Sequence, residues 1–196
     1  MTIAHRLRDF ALTATMPPGL RKFVLTVHLT SSLGWIGAVV AYLALGVSAV
    51  TSPDAQTVRA VWIAMELTGW FVIVPLALAA LLTGLVISLG TPWGLFRYYW
   101  VLISLVLTVL ATAVLLLHMP TVSALADVAR EADGAHVGGH GGDLFHAGGG
   151  LLVLLVITVL NVYKPQGLTP YGWRKQQEQR TYGRRKEQER RRVLVP

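Results

Sequence analysis

Four stretches of this chain, Phe23 to Val50, Val61 to Leu89, Tyr98 to Met119 and Leu144 to Tyr163, are almost free of charge, and they constrain the fold more than any other feature. A helix rises about 1.5 Å per residue and the hydrocarbon core of a bilayer is about 30 Å thick, so about 20 apolar residues cross it. Each stretch meets that length. In lipid the backbone must satisfy its own hydrogen bonds, which uninterrupted apolar segments do as helices. The expected fold is therefore all-α: a polytopic membrane protein with four transmembrane helices in a bundle. Composition agrees, since 54% of the residues are hydrophobic and only 14% charged, against about 25% charged in an ordinary soluble domain. Disorder is excluded, and a soluble globule is disfavoured.

The 17 basic and 10 acidic residues give a net charge of +7, and their placement explains that sum. The N-terminal segment carries Arg6, Arg8, Arg21 and Lys22 against Asp9, and the chain after Tyr163 carries ten basic residues against three acidic ones. The connection from Pro120 to Asp143 has the opposite sign, with Arg130 against Asp127, Glu131, Asp133 and Asp143. By the positive-inside rule both termini are cytoplasmic and this connection is outside. The basic charge is then a record of topology, which removes the argument for a nucleic-acid partner. Its partner is the lipid bilayer, with anionic lipid drawn to the basic tail. The first run is far longer than the roughly 7–15 residues of a signal-peptide core, so it reads as a retained span. The chain has no cysteine, which excludes disulfides, thiolate metal sites and cysteine nucleophiles.

Three parts follow along the chain. Residues 1–20 place Ile3, Leu7, Phe10 and Ala11 at helical spacing beside Arg6 and Arg8, as in a helix lying on the membrane surface. Residues 21–165 form the transmembrane domain, with spans at about 23–50, 61–89, 98–119 and 144–163. Residues 166–196 form a basic cytoplasmic tail. Pro75 lies inside the second span, where its missing N–H predicts a kink.

Ionisable groups inside a membrane are costly, so each marks a candidate site. They are His28, Glu66, His118 and His146. With Lys22 and Arg97 as inner marks, His28 lies roughly 9 Å above the inner boundary and His118 some 30 Å from it. A single haem bridging the two is excluded, because axial ligands lie only about 4 Å apart. His118, His146 and Glu66 form an expected outer cluster, which His136 and His140 in the glycine-rich connection extend. Imidazole and carboxylate suit zinc, copper, nickel or ferrous iron. The same residues also fit a flexible loop with incidental histidines and a Glu66 that pairs with one of them. In the first span His28, Trp35 and Tyr42 recur every seven residues on one inward face, with Ser31 and Ala38. His28 either donates to a facing carbonyl or hydroxyl, or ligates a haem iron beside Trp35 in a dry slot.

The stretch His28-Leu-Thr-Ser-Ser-Leu-Gly-Trp35-Ile-Gly37, followed by Glu66-Leu-Thr-Gly-Trp70, Thr91-Pro-Trp-Gly-Leu-Phe-Arg97, His118-Met-Pro120 and His146-Ala-Gly-Gly-Gly150, resembles a family of small bacterial integral membrane proteins of unestablished activity. That resemblance implies four spans and a bacterial cytoplasmic membrane. More distantly, the histidine before Trp-x-Gly in the first span and the Trp-led span from Trp100 to His118 are similar to the HemJ-type protoporphyrinogen oxidase. CopD-like membrane proteins share a comparable first span. The likeness implies haem b with His28 as iron ligand. The oxidase's functional lysine is replaced here by Ser104.

The expected function is binding of haem b or a transition metal such as zinc or copper through intramembrane histidines, with a redox role. His28 and Trp35 would serve the cofactor, and His118, His146, Glu66, His136 and His140 the metal. The alternatives bind no cofactor: a membrane partner subunit or homo-oligomer, or a small proton-coupled permease titrating at Glu66.

Overall fold

A computed structural model describes residues 16–91, 94–131 and 141–194, without side-chain placement at 141, 189, 193 and 194. The expected surface segment falls mostly on residues 1–15, and His136 and His140 on 132–140, all outside the described residues. The elements are α1 (Pro18–Thr51), α2 (Ala55–Gly90), α3 (Tyr99–Glu131), α4 (Gly141–Tyr163) and α5 (Pro170–Leu194). Helices α1 to α4 are long and apolar enough to cross a membrane, and no strand occurs among the described residues. The all-α, four-helix membrane bundle is thus the observed architecture. α1 packs on α2 and α4, and α3 packs on the same two, so the spans follow one another around the bundle in chain order. Short connections between antiparallel helices produce that order.

Each start and interruption has a local cause. α1 begins on Pro18, whose missing N–H costs nothing at a first helical position. α2 is capped by Asp54, whose carboxylate accepts the backbone N–H groups of Gln56 and Thr57 at 3.3 and 3.0 Å and the Thr57 hydroxyl at 2.6 Å. The Thr57 hydroxyl, then the two amides, hold this exposed carboxyl below its ordinary value. The cap therefore contributes in full above the normal carboxylate range and is lost as pH falls through the lowered value. Within α2, Pro75 has no N–H for the Phe71 carbonyl. The helix widens into a π turn over Gly69–Ile73, where the Val74 N–H donates to the Gly69 carbonyl five residues back. This is the form taken by the disturbance expected at Pro75.

α3 differs from the expected span. It runs through Pro120 to Glu131 instead of ending at Met119. Proline removes one hydrogen bond, which packing against neighbours offsets. That packing is legible in retrospect: Val122, Ala126 and Ala129 continue an apolar stripe at three- and four-residue spacing and are 0% exposed. They face the first turns of α2, where Val58, Val61, Trp62 and Met65 are buried in the same core. α1, α2 and α3 have 34, 36 and 33 residues, roughly 50 Å each, which outruns a 30 Å hydrocarbon core by several turns. With Lys22 and Arg97 at the basic boundary, the surplus lies at the acidic end.

At the basic end, the segment after α4 is fastened to the turn before α3. Tyr99 N–H donates to the Gly167 carbonyl at 3.1 Å and Thr169 N–H to the Arg97 carbonyl at 3.1 Å. The Thr169 hydroxyl adds a 2.5 Å bond to the Phe96 carbonyl. At Gly172 a Cβ would meet the Arg97 carbonyl oxygen at 2.2 Å, so only glycine fits this approach. Gly172→Ala is expected to loosen the docking of α5 at a cost of about 1–3 kcal/mol, as overpacking against fixed backbone does. Limited proteolysis within residues 164–175 should accelerate, and an unchanged cleavage rate would contradict the contact.

Candidate functional site

A carboxylate placed in the first turn of α4 meets the positive end of that helix. This residue is Asp143, and its surroundings build the site. His118 on α3 lies about 30 Å above Arg97 by helical rise, and Tyr42 on α1 is at the same height above Lys22. Both reach Asp143. The His118 Nε2–H donates to Asp143 Oδ1, and the Tyr42 hydroxyl donates to Oδ2 at 3.1 Å. Asp143 is 5% exposed. A buried carboxylate with both oxygens engaged is a stable arrangement, whereas the same group unpaired would be strongly disfavoured.

One turn further along α4, His146 stacks on His118 with ring centroids 4.4 Å apart and planes 13° from parallel. Its Nδ1–H donates to the Gly142 carbonyl at 2.9 Å. His118, Asp143 and His146 line an open cleft of about 650 Å³ whose other walls include Val114, Leu117, Thr121 and Leu125. That volume lies within the range of small-molecule sites.

Glu66 is not part of this cluster. It pairs with Arg130, which also binds Asp127 at 2.6 Å, while Arg59 donates to the Arg130 carbonyl at 2.7 Å. Glu66, expected beside His118 and His146, is placed instead with Arg130. Continuing α3 past Pro120 brings Arg130 alongside it, and Glu66 lies roughly 36 Å from Gly90, beyond the hydrocarbon core.

His28 is at the other end. Its Nδ1 lies 3.1 Å from the Ala80 carbonyl and 3.1 Å from the Thr83 hydroxyl. A carbonyl only accepts, so Nδ1 carries the proton and Nε2 keeps its lone pair. Gly84 makes the approach possible, since a Cβ there would sit 3.1 Å from the His28 ring. His28 thus meets a facing carbonyl and a facing hydroxyl, one of the two roles expected for it. Trp35 is buried in the apolar core. Ser104 accepts from Asn161 at 3.3 Å. Among the described residues no group of three or more His, Cys, Asp or Glu side chains is placed to hold a metal ion.

Tyr42 and Asp143 are the residues of this cluster that lie outside the expected set of His118, His146, Glu66, His136 and His140. The seven-residue spacing from His28 marked the Tyr42 face, but its height belongs with His118. No protein family, curated protein or solved structure matches the chain.

Asp143→Ala is expected to lower stability by about 1–3 kcal/mol, because it leaves the His118 and Tyr42 donors without their acceptor. Tyr42→Phe should cost about 1.5–3 kcal/mol, the worth of a hydrogen bond to a charged acceptor. The double variant should cost little more than Asp143→Ala alone, because the hydroxyl acts through the carboxylate. Unfolding in detergent of the three variants measures this, and additive effects would contradict the shared bond.

Proposed function

We propose that this protein is a proton-linked membrane permease whose titrating centre is the His118–Asp143 pair. The observation that carries the reading is a buried carboxylate, held by a histidine and a tyrosine, in the wall of an open cleft near the acidic end of the spans. Intramembrane carboxylate and imidazole groups in contact are the chemical parts of proton relays. A proton carried on the His118–His146 stack, whose ring centroids lie 4.4 Å apart, has the Asp143 carboxylate beside it as counter-charge. Loading or releasing that proton changes the charge facing the cleft. A substrate that binds one charge state better is thereby coupled to the proton. Glu66 is an unsuitable carrier because Arg130 holds it.

A second reading is favoured by one observation. His118 and His146 each give one ring N–H to an oxygen, Asp143 and the Gly142 carbonyl respectively, the arrangement that orients histidines for a transition metal. Zinc or copper at the cleft then rests on His118 and His146. For haem b, the corresponding feature is the Nε2 of His28, with Nδ1 held at 3.1 Å from the Ala80 carbonyl.

Proteoliposomes with an imposed pH gradient, screened with small organic cations and anions, test the permease. Gradient-driven uptake should fall at least about tenfold in Asp143→Asn, the size of one lost charge-assisted interaction, and persist in Glu66→Gln. Uptake indifferent to the gradient, or to Asp143→Asn, overturns the proton-linked reading. Stoichiometric zinc or copper lost in His118→Ala, or a Soret band lost in His28→Ala, would favour the metal or haem reading instead.

A further inference from the structure

A second cavity, of about 540 Å³, opens at the basic end of the bundle. Its lining includes Tyr98 and Trp100 from the start of α3, Lys164, Gln166 and Leu168 from the connection after α4, and Trp173 from the first turn of α5. We propose that this cavity is a binding site for the phosphate headgroup of an anionic phospholipid.

Position comes first. α4 ends at Tyr163 and α3 begins at Tyr99, so the cavity lies where the hydrocarbon gives way to headgroups. Indole and phenol rings prefer that layer because each joins an apolar body to a polar edge. The walls are also fixed before any ligand arrives. Tyr98 and Leu168 form a backbone bridge, flanked by the Tyr99 to Gly167 and Thr169 to Arg97 bonds, and Gly172 admits no side chain against the Arg97 carbonyl. A preformed cavity loses little entropy on binding.

Charge selects the ligand. Residues 164–194 hold ten basic side chains against three acidic ones, which draws anions to this end of the protein. Lys164 lines the cavity, and its backbone is left-handed, with φ 46°. It follows the last residue of α4 and donates its N–H to the Leu160 carbonyl at 3.0 Å, a helix-ending position where glycine is the least strained choice. An ammonium group in the lining is the chemical complement of a phosphate.

The same position supplies a discriminating variant. Lys164→Gly relaxes the backbone and removes the charge, so weaker binding cannot be attributed to a damaged fold. The full chain, delipidated in neutral detergent, is titrated with phosphatidylglycerol or phosphatidylcholine and followed by native mass spectrometry. One phosphatidylglycerol should bind in preference to phosphatidylcholine. Lys164→Gly should weaken it about fivefold, the contribution of one basic residue near an anionic surface. A variant carrying Arg184→Gln, Arg185→Gln and Lys186→Gln should keep that bound lipid, which separates the cavity from general attraction to the tail. Equal binding of both lipids, an unchanged affinity in Lys164→Gly, or loss confined to the triple variant overturns the proposal. Displacement by millimolar glycerol 3-phosphate would assign the cavity to a free phosphate and also overturn the lipid.

Discussion

Within hydrocarbon a polar side chain has no water to bond, so each one must find its partner inside the protein or be held at the boundary. Most of the described architecture answers to that requirement. His28 reaches the Ala80 carbonyl and Thr83; Thr108 and Thr112 return their hydroxyls to carbonyls four residues back; Asn161 bonds Ser104 and the Ile157 carbonyl. Asp143 is the most demanding case, because its donors come from outside its own helix. It receives them from α1 and α3, and so ties three of the four spans together at one height.

Long helices supply the leverage for this arrangement. α4 is the shortest span at 23 residues and begins near the level where His118 stands on α3. Its first turn therefore delivers Asp143 and His146 to the side of α3, while α2 and α3 continue past that level and bury Trp62, Met65, Met119 and Val122 between them. The extension has an apolar seam of its own and a cap of charge in Arg59, Glu66, Asp127 and Arg130. The His118–Asp143 pair lies below that extension, its carboxylate shielded by packed side chains. The two ends of the molecule divide their chemistry accordingly: a histidine and carboxylate cleft at one, an aromatic cavity in a field of basic residues at the other.

Much of this was legible in the order of residues. The four spans could be read because crossing a bilayer demands length and apolarity, which are local properties. The inward face of α1 could be read from His28, Trp35 and Tyr42, because helical spacing is local as well. The continuation of α3 was harder. The residues from Pro120 to Asp143 read as a connection, because the small stripe of Val122, Ala126 and Ala129 carries its meaning only when α2 lies against it. Pairing was hardest of all, since Glu66 with Arg130 and His118 with Asp143 join residues far apart in the chain.

The sequence by itself therefore determined the solvent, the helical class, the number of spans and the sign of charge at each end, since these follow from counts and periodicities along a single segment. Only the tertiary structure decided which charge meets which. Glu66 became half of a boundary ion pair, and Asp143, one of several acidic residues in a glycine-rich connection, became the buried centre of the site. The reason is physical: the cost of burying a charge depends on its partners, and helix lengths and heights in the bundle choose those partners.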